Sequence, residues 1–139
     1  MKRILVIALL AALAAGSVQA AGFKVIVHSA NSTTTLAKKD VSALFLKKKT
    51  KWDDGTPVTA VDQTERSPAR ESFTASVHGK PVAAVKSYWQ QQIFSGRDVP
   101  PVEKASDADV VAFVRNNRDA IGYVSEETPL SGVRVVNVQ

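Results

Sequence analysis

The stretch Val41–Gln63, VSALFLKKKTKWDDGTPVTAVDQ, carries the reading on which the fold turns. Val41, Leu44 and Phe45 stand at the i, i+3, i+4 spacing of a helix with one apolar face. That helix is predicted over Ala37–Leu46, with Leu36 anchoring its start. Lys47, Lys48 and Lys49 follow, where cations complement the negative end of the helix dipole. Trp52-Asp53-Asp54-Gly55 reads as a turn, and Pro57–Val61 alternates apolar and polar residues as a short strand. A helix that leads through a tight turn into a strand points to an α/β protein.

Both flanks continue the pattern. Upstream, Phe23–His28 (FKVIVH) is apolar and β-branched, a buried strand, and Ser29–Thr35 (SANSTTT) is a loop of small, mostly polar residues. Downstream, Asp62–Arg66 reads as a polar loop. Ser67 as N-cap and Pro68 at the first helical position open a helix that runs to about Val77 and stops at Gly79. Pro81 opens another helix, which reaches about Phe94 with Val82, Val85, Trp89 and Ile93 inward. Arg97–Lys104 is a loop containing Pro100-Pro101. Ser106-Asp107-Ala108-Asp109 resembles a capping box with Asp in place of Glu, ahead of a helix that turns Val110, Phe113 and Val114 inward. Ala120–Val124 and Val133–Val138 are the last strands. The expected order is β-α-β-α-α-α-β-β: about four strands covered by four helices.

The ends and the composition bound the class. Lys2 and Arg3 precede an apolar run, Ile4–Ala15, and Val18-Gln19-Ala20 supplies the small residues of a cleavage site. Residues 1–20 are therefore expected to be a secretory signal peptide, too short in its apolar part to span a bilayer, and 21–139 the exported, periplasmic domain. Of 139 residues, 18 are basic and 13 acidic. Without Lys2 and Arg3 the net charge falls to +3, too mild to imply nucleic acid. With no Cys there is no disulfide framework, thiolate zinc site or thiol nucleophile. Two histidines, His28 and His78, do not make a multi-histidine metal site, and no G-x-S-x-G elbow is present. The chain is expected to be no enzyme, to need no cofactor and to hold no membrane span once the leader is removed.

Two segments carry candidate chemistry. Gln63–Arg70 (QTERSPAR) lies between a strand and a capped helix. Helix N-terminal N–H groups, the Ser67 hydroxyl and the planar forks of Arg66 and Arg70 could together hold phosphate, sulfate or a carboxylate. The alternative is an ordinary helix start, with the arginines paired to Glu65 and Glu71. The Ser29–Thr35 loop would line the same end of the sheet, where ligands sit in open α/β folds. Its alternative is a capping loop. Lys47–Lys51 with Trp52 could be a nucleic-acid patch, or a solvated helix end over a packed Trp; Asp53 and Asp54 beside it favour the second.

Several of these segments, in this order, resemble one lobe of the periplasmic phosphate-binding proteins of ABC importers. VSALFLKKKTKWDDGTPVTAVDQ is similar to that family's I-F-x-G-K-x-x-x-W-x-D-G stretch and the strand behind it. SPARESF stands where the family has a Ser-Gly-Thr helix start, and AIGYV matches a strand late in the same lobe. The similarity covers roughly Val25–Val124. It implies a single lobe of the type II periplasmic-binding-protein-like fold: α/β, a small mixed sheet covered by about four helices.

It also implies an oxyanion ligand, phosphate above all, at Ser67, Gln63, Arg66 and Arg70, faced by Ser29, Asn31, Ser32 and Thr33. An ABC permease is the implied partner, and a homodimer would supply the missing wall. Three positions depart from the family's pattern. Gln63 replaces an Arg four residues ahead of the Ser, Pro68 replaces Gly, and Ala69 replaces Thr. Pro68 has no N–H to offer an anion, and Ala69 has no hydroxyl. The other expectation is therefore a module that has kept the fold, lost the ligand, and docks on an envelope sensor or adaptor protein. An exposed apolar patch near Trp89, Ile93 and Phe94 would favour it.

Overall fold

In a computed structural model, which describes residues 22–139, the chain forms a six-stranded mixed sheet. The predicted signal peptide lies outside the described residues. In chain order the elements are β1 (Phe23–His28), β2 (Thr35–Leu36), α1 (Lys38–Phe45), β3 (Thr59–Gln63) and α2 (Pro68–Phe73), which runs on as a π-helical turn over Thr74–His78. Then come α3 (Val82–Phe94), β4 (Val102–Lys104), α4 (Asp107–Asn116), β5 (Ala120–Ser125) and β6 (Val133–Val138).

The spatial order of strands is β2-β6-β1-β5-β3-β4. β3, β4 and β5 are parallel, with Val61 opposite Val102 and Ala60 opposite Ile121. β1 is antiparallel to both its neighbours, pairing Val25 with Tyr123 of β5 and Val27 with Arg134 of β6. Three consecutive buried residues, Val25, Ile26 and Val27, mark β1 as a strand covered on both faces. Val25 and Val27 face one core with Phe45, Phe73, Ile121 and Tyr123. Ile26 faces another with Val61, Val110, Val114 and Val124, under α4. α4 lies so close to the sheet that a Cβ on Gly122 would come within 2.8 Å of Val110 and of Val61. On the other face Phe73 stacks on Tyr123, with ring centroids 3.9 Å apart, and Phe45 tilts against both.

The α/β class, the mixed sheet and its four helices stand as read from the sequence. Ser67 caps α2 and Ser106 caps α4, each hydroxyl accepting from the N–H three residues on. Four details differ. Leu36 belongs to a short strand, because its backbone pairs with the C-terminal strand β6. Val102–Lys104 is a strand and not loop, since β3 offers it a free edge. β3 extends through Asp62 and Gln63, polar residues buried by partners the sequence does not show. Ile93 points outward: α3 buries only Val85 and Trp89, and Ile93 and Phe94 are 53% and 96% exposed.

Candidate functional site: a corner closed by its own side chains

The three parallel strands end together at Gln63, Lys104 and Ser125, and α2 and α4 both begin there. This carboxyl edge is where α/β sheets present ligand groups. Three predicted residues, Gln63, Ser67 and Arg70, meet in it.

The Gln63 side chain spends its amide hydrogens on Asp107 Oδ1 at 2.8 Å and the Tyr123 carbonyl at 2.9 Å. Its Oε1 accepts the Ser67 hydroxyl at 2.6 Å. That hydroxyl in turn accepts the Arg70 N–H at 3.2 Å, so it has no hydrogen left for a ligand. Arg70 is buried, and its Nη1 donates to the Gln63 carbonyl at 2.6 Å and pairs with Asp62 Oδ1 at 3.2 Å and Glu103 Oε1 at 3.4 Å. Arg66 is exposed and makes no ion pair among the described residues.

Asp62 is the group the sequence reading missed. It is a buried carboxylate beside Arg70, and it accepts from the Tyr123 hydroxyl and from the Gln63 N–H, the latter at 3.0 Å. Burial pushes its pKa up more than the Arg70 charge and the Tyr123 bond pull it down. Burial and the neighbouring Asp62 also push the Tyr123 hydroxyl up, which keeps it a donor. Asp107 was read only as part of a cap. Its carboxylate accepts from Gln63, from the Ser125 N–H at 3.3 Å and from the Thr128 hydroxyl at 3.0 Å. Burial raises its pKa, but those hydrogen bonds together outweigh burial and hold it below the ordinary value. Asp62, Glu65, Glu103 and Asp107 face Arg66, Arg70 and Lys86, so the corner is not a positive one. The signal available in the sequence was a polar pair, Asp62-Gln63, closing an apolar strand.

The other half of the predicted site lies elsewhere. Because β1 runs antiparallel to β5, its C-terminal end meets the start of β5 and β3. Ser29, Asn31, Ser32 and Thr33 therefore sit across the sheet from Ser67, roughly 17–20 Å away for strands of this length. Asn31 and Thr33 close their own turn, Asn31 Oδ1 accepting the Thr33 N–H at 2.9 Å. With Trp52, Asp54 and Arg118 the loop lines a separate polar cleft. The expectation that this loop faces Ser67 is corrected: it assumed β1 parallel to its neighbours.

Beside the corner opens a cleft of about 550 Å³ with Val82, Trp89, Ile93 and Pro100 in its walls and Arg66, Glu65, Lys86 and Glu103 among its polar lining. The Lys86–Glu65 pair at 3.4 Å is exposed. Among the described residues no group of three or more His, Asp or Glu side chains could hold a metal ion. No helix among them is long and apolar enough to cross a membrane.

No family model matches the chain, and no curated protein matches it. Solved structures do. An ABC-type phosphate transport receptor of Vibrio cholerae superposes with a TM-score of 0.66 at 17% identity, over 84% of this chain and 46% of that one. A protein of Clostridium perfringens assigned as a phosphate ABC transporter substrate-binding protein, solved with bound phosphate, gives 0.67 at 21%, over 84% and 44%. A candidate phosphate-binding protein of Planctomyces limnophilus gives 0.64 at 16%, over 85% and 41%. The chain has the fold of one lobe of a phosphate receptor. It spans less than half the length of each of these neighbours, and at these identities the likeness is one of fold. In this lobe, Gln63 and Asp107 occupy the corner at Ser67.

Proposed function

We propose that the chain is an exported, non-enzymatic binding module of the cell envelope: a receptor lobe that acts by docking on another protein and not by enclosing phosphate. The observation that carries this reading is that the corner's own side chains occupy Gln63 and Ser67. Gln63, Ser67 and the Nη1 group of Arg70 give their hydrogens to the chain's own acceptors, and the buried Asp62 pairs with Arg70. A phosphate reaching Arg70 from the cleft would bring its charge beside Asp62 and Glu103. An exposed apolar surface at Ile93, Phe94, Val99 and Val102, next to the cleft, supports a docking role. The partner class this reading implies is an ABC permease or an envelope sensor.

A second reading is kept because a structural neighbour was solved with bound phosphate. In it, Arg66 and the cleft hold a small oxyanion, with a second copy of the chain supplying the missing wall. Isothermal titration with phosphate, using sulfate as control and two protein concentrations, separates the two. The docking reading expects no saturable heat up to millimolar phosphate at either concentration. Saturable binding at micromolar phosphate overturns it. If that binding grows with protein concentration, a dimer completes the site.

A further inference from the structure

Asp107 stands at the first turn of α4 and reaches across to two other elements. Its Oδ1 accepts from Gln63 Nε2 at 2.8 Å and from the Ser125 N–H at 3.3 Å, and its Oδ2 accepts from the Thr128 hydroxyl at 3.0 Å. The donors come from the end of β3, the end of β5 and the segment after β5, so no single turn of chain explains their convergence. Gln63, the first of them, is 1% exposed, and its orientation is fixed from its other side by Ser67 and the Tyr123 carbonyl. Three fixed donors around a planar, two-oxygen acceptor are what a bound carboxylate would receive.

We propose that Asp107 is the resident anion of this corner: a carboxylate of the chain itself takes the three donors that a small external carboxylate would use. The native corner is closed to such a ligand, and an Asp107→Ala protein is open to it. The inference rests on the reading of a self-filled corner and says what fills it. A tethered group beats a free one because its ordering cost is already met by the folding of α4, so free ligand must compete against a high effective concentration. The donor set suits a monocarboxylate better than phosphate. It offers three hydrogens, all from neutral groups. The substitution removes a CO₂⁻ group, the size of formate, and leaves the Cβ in place.

The test is thermal unfolding of the native protein and of Asp107→Ala, each with sodium formate and with sodium chloride at equal ionic strength. The variant is expected to melt roughly 5–10 °C below the native protein in chloride. It should recover half or more of that loss in tens of millimolar formate, while the native protein does not respond. Asp107→Asn, which fills the space, should not respond either. Equal effects of formate and chloride on the Ala variant overturn the proposal, and so does an equal formate effect on the native protein. Should the Ala variant fail to fold, carbon-detected NMR titration of native Asp107 decides. Titration below 3.8 that rises toward it in Thr128→Val supports the resident anion, and titration at the ordinary value overturns it. Phosphate binding by the native protein would defeat the docking reading alone; loss of formate rescue would defeat this inference alone.

Discussion

Removing the Arg70 guanidinium would leave Asp62 buried with its main counter-charge gone. Breaking one side of a buried pair costs roughly 3–5 kcal/mol, whereas replacing both partners costs far less. Arg70→Ala should therefore lose about that much stability in urea unfolding, and Asp62→Asn combined with Arg70→Met should lose much less. Equal losses in the two proteins would mean that the pair does not hold the corner. His78 gives a second residue-scale prediction. Burial, then the charges of Arg70, Lys80 and Lys48, lowers its pKa from 6.5 to about 4. The neutral ring sits 2.7 Å from the Ser42 hydroxyl and edge-on to Phe73. Its folded pKa lies below its unfolded one, so its contribution is complete above pH 6.5 and is lost as pH falls toward 4. Asp62, with a raised pKa, acts in the opposite sense above 3.8. His78→Gln isolates the histidine part: melting temperature should fall less between pH 7 and pH 4 in the variant than in the native protein. A parallel fall in both would remove His78 from the account.

At the scale of elements, two serine caps do different work. Ser106 accepts one N–H at the exposed start of α4, and Ser106→Ala should cost about 1 kcal/mol. Ser67 accepts an N–H and also holds Gln63 Oε1, so Ser67→Ala should cost more, and urea titration of the pair of variants checks the order. Gly122→Ala should cost roughly 1–3 kcal/mol, because its Cβ meets Val110 and Val61 at 2.8 Å. These elements show what the sequence could and could not reveal. Ser67-Pro68 and Ser106 announce helix starts by local chemistry, and the apolar runs of β1 and β5 announce burial. Strand direction carries no local signal: FKVIVH reads the same whether it lies parallel or antiparallel, and that misplaced Ser29–Thr33. The strands Thr35–Leu36 and Val102–Lys104 escape notice because two or three residues have no period; only their neighbours β6 and β3 make them strands. Gln63, Ser67 and Arg70 were legible as a group, but their partners were not, since Asp62, Asp107 and Tyr123 reach them by folding.

The described residues have the fold of one lobe of a phosphate receptor, with Gln63 and Ser67 satisfied from within at the carboxyl edge and an apolar, exposed end to α3. Phe94→Ser should leave the melting temperature nearly unchanged, because the side chain is 96% exposed and holds nothing in place. A large destabilisation would show that Phe94 belongs to the fold and not to a docking surface. The closed corner is tested most directly by phosphate titration followed in ¹H–¹⁵N NMR spectra. Gln63 has a side-chain amide in the corner, and the Ser67 and Arg70 backbone N–H groups flank it. These resonances are predicted to stay in place up to millimolar phosphate, shifting no more than they do with sulfate. Saturable, phosphate-specific movement of the Gln63 side-chain amide together with Ser67 would contradict the account and make this corner an anion site.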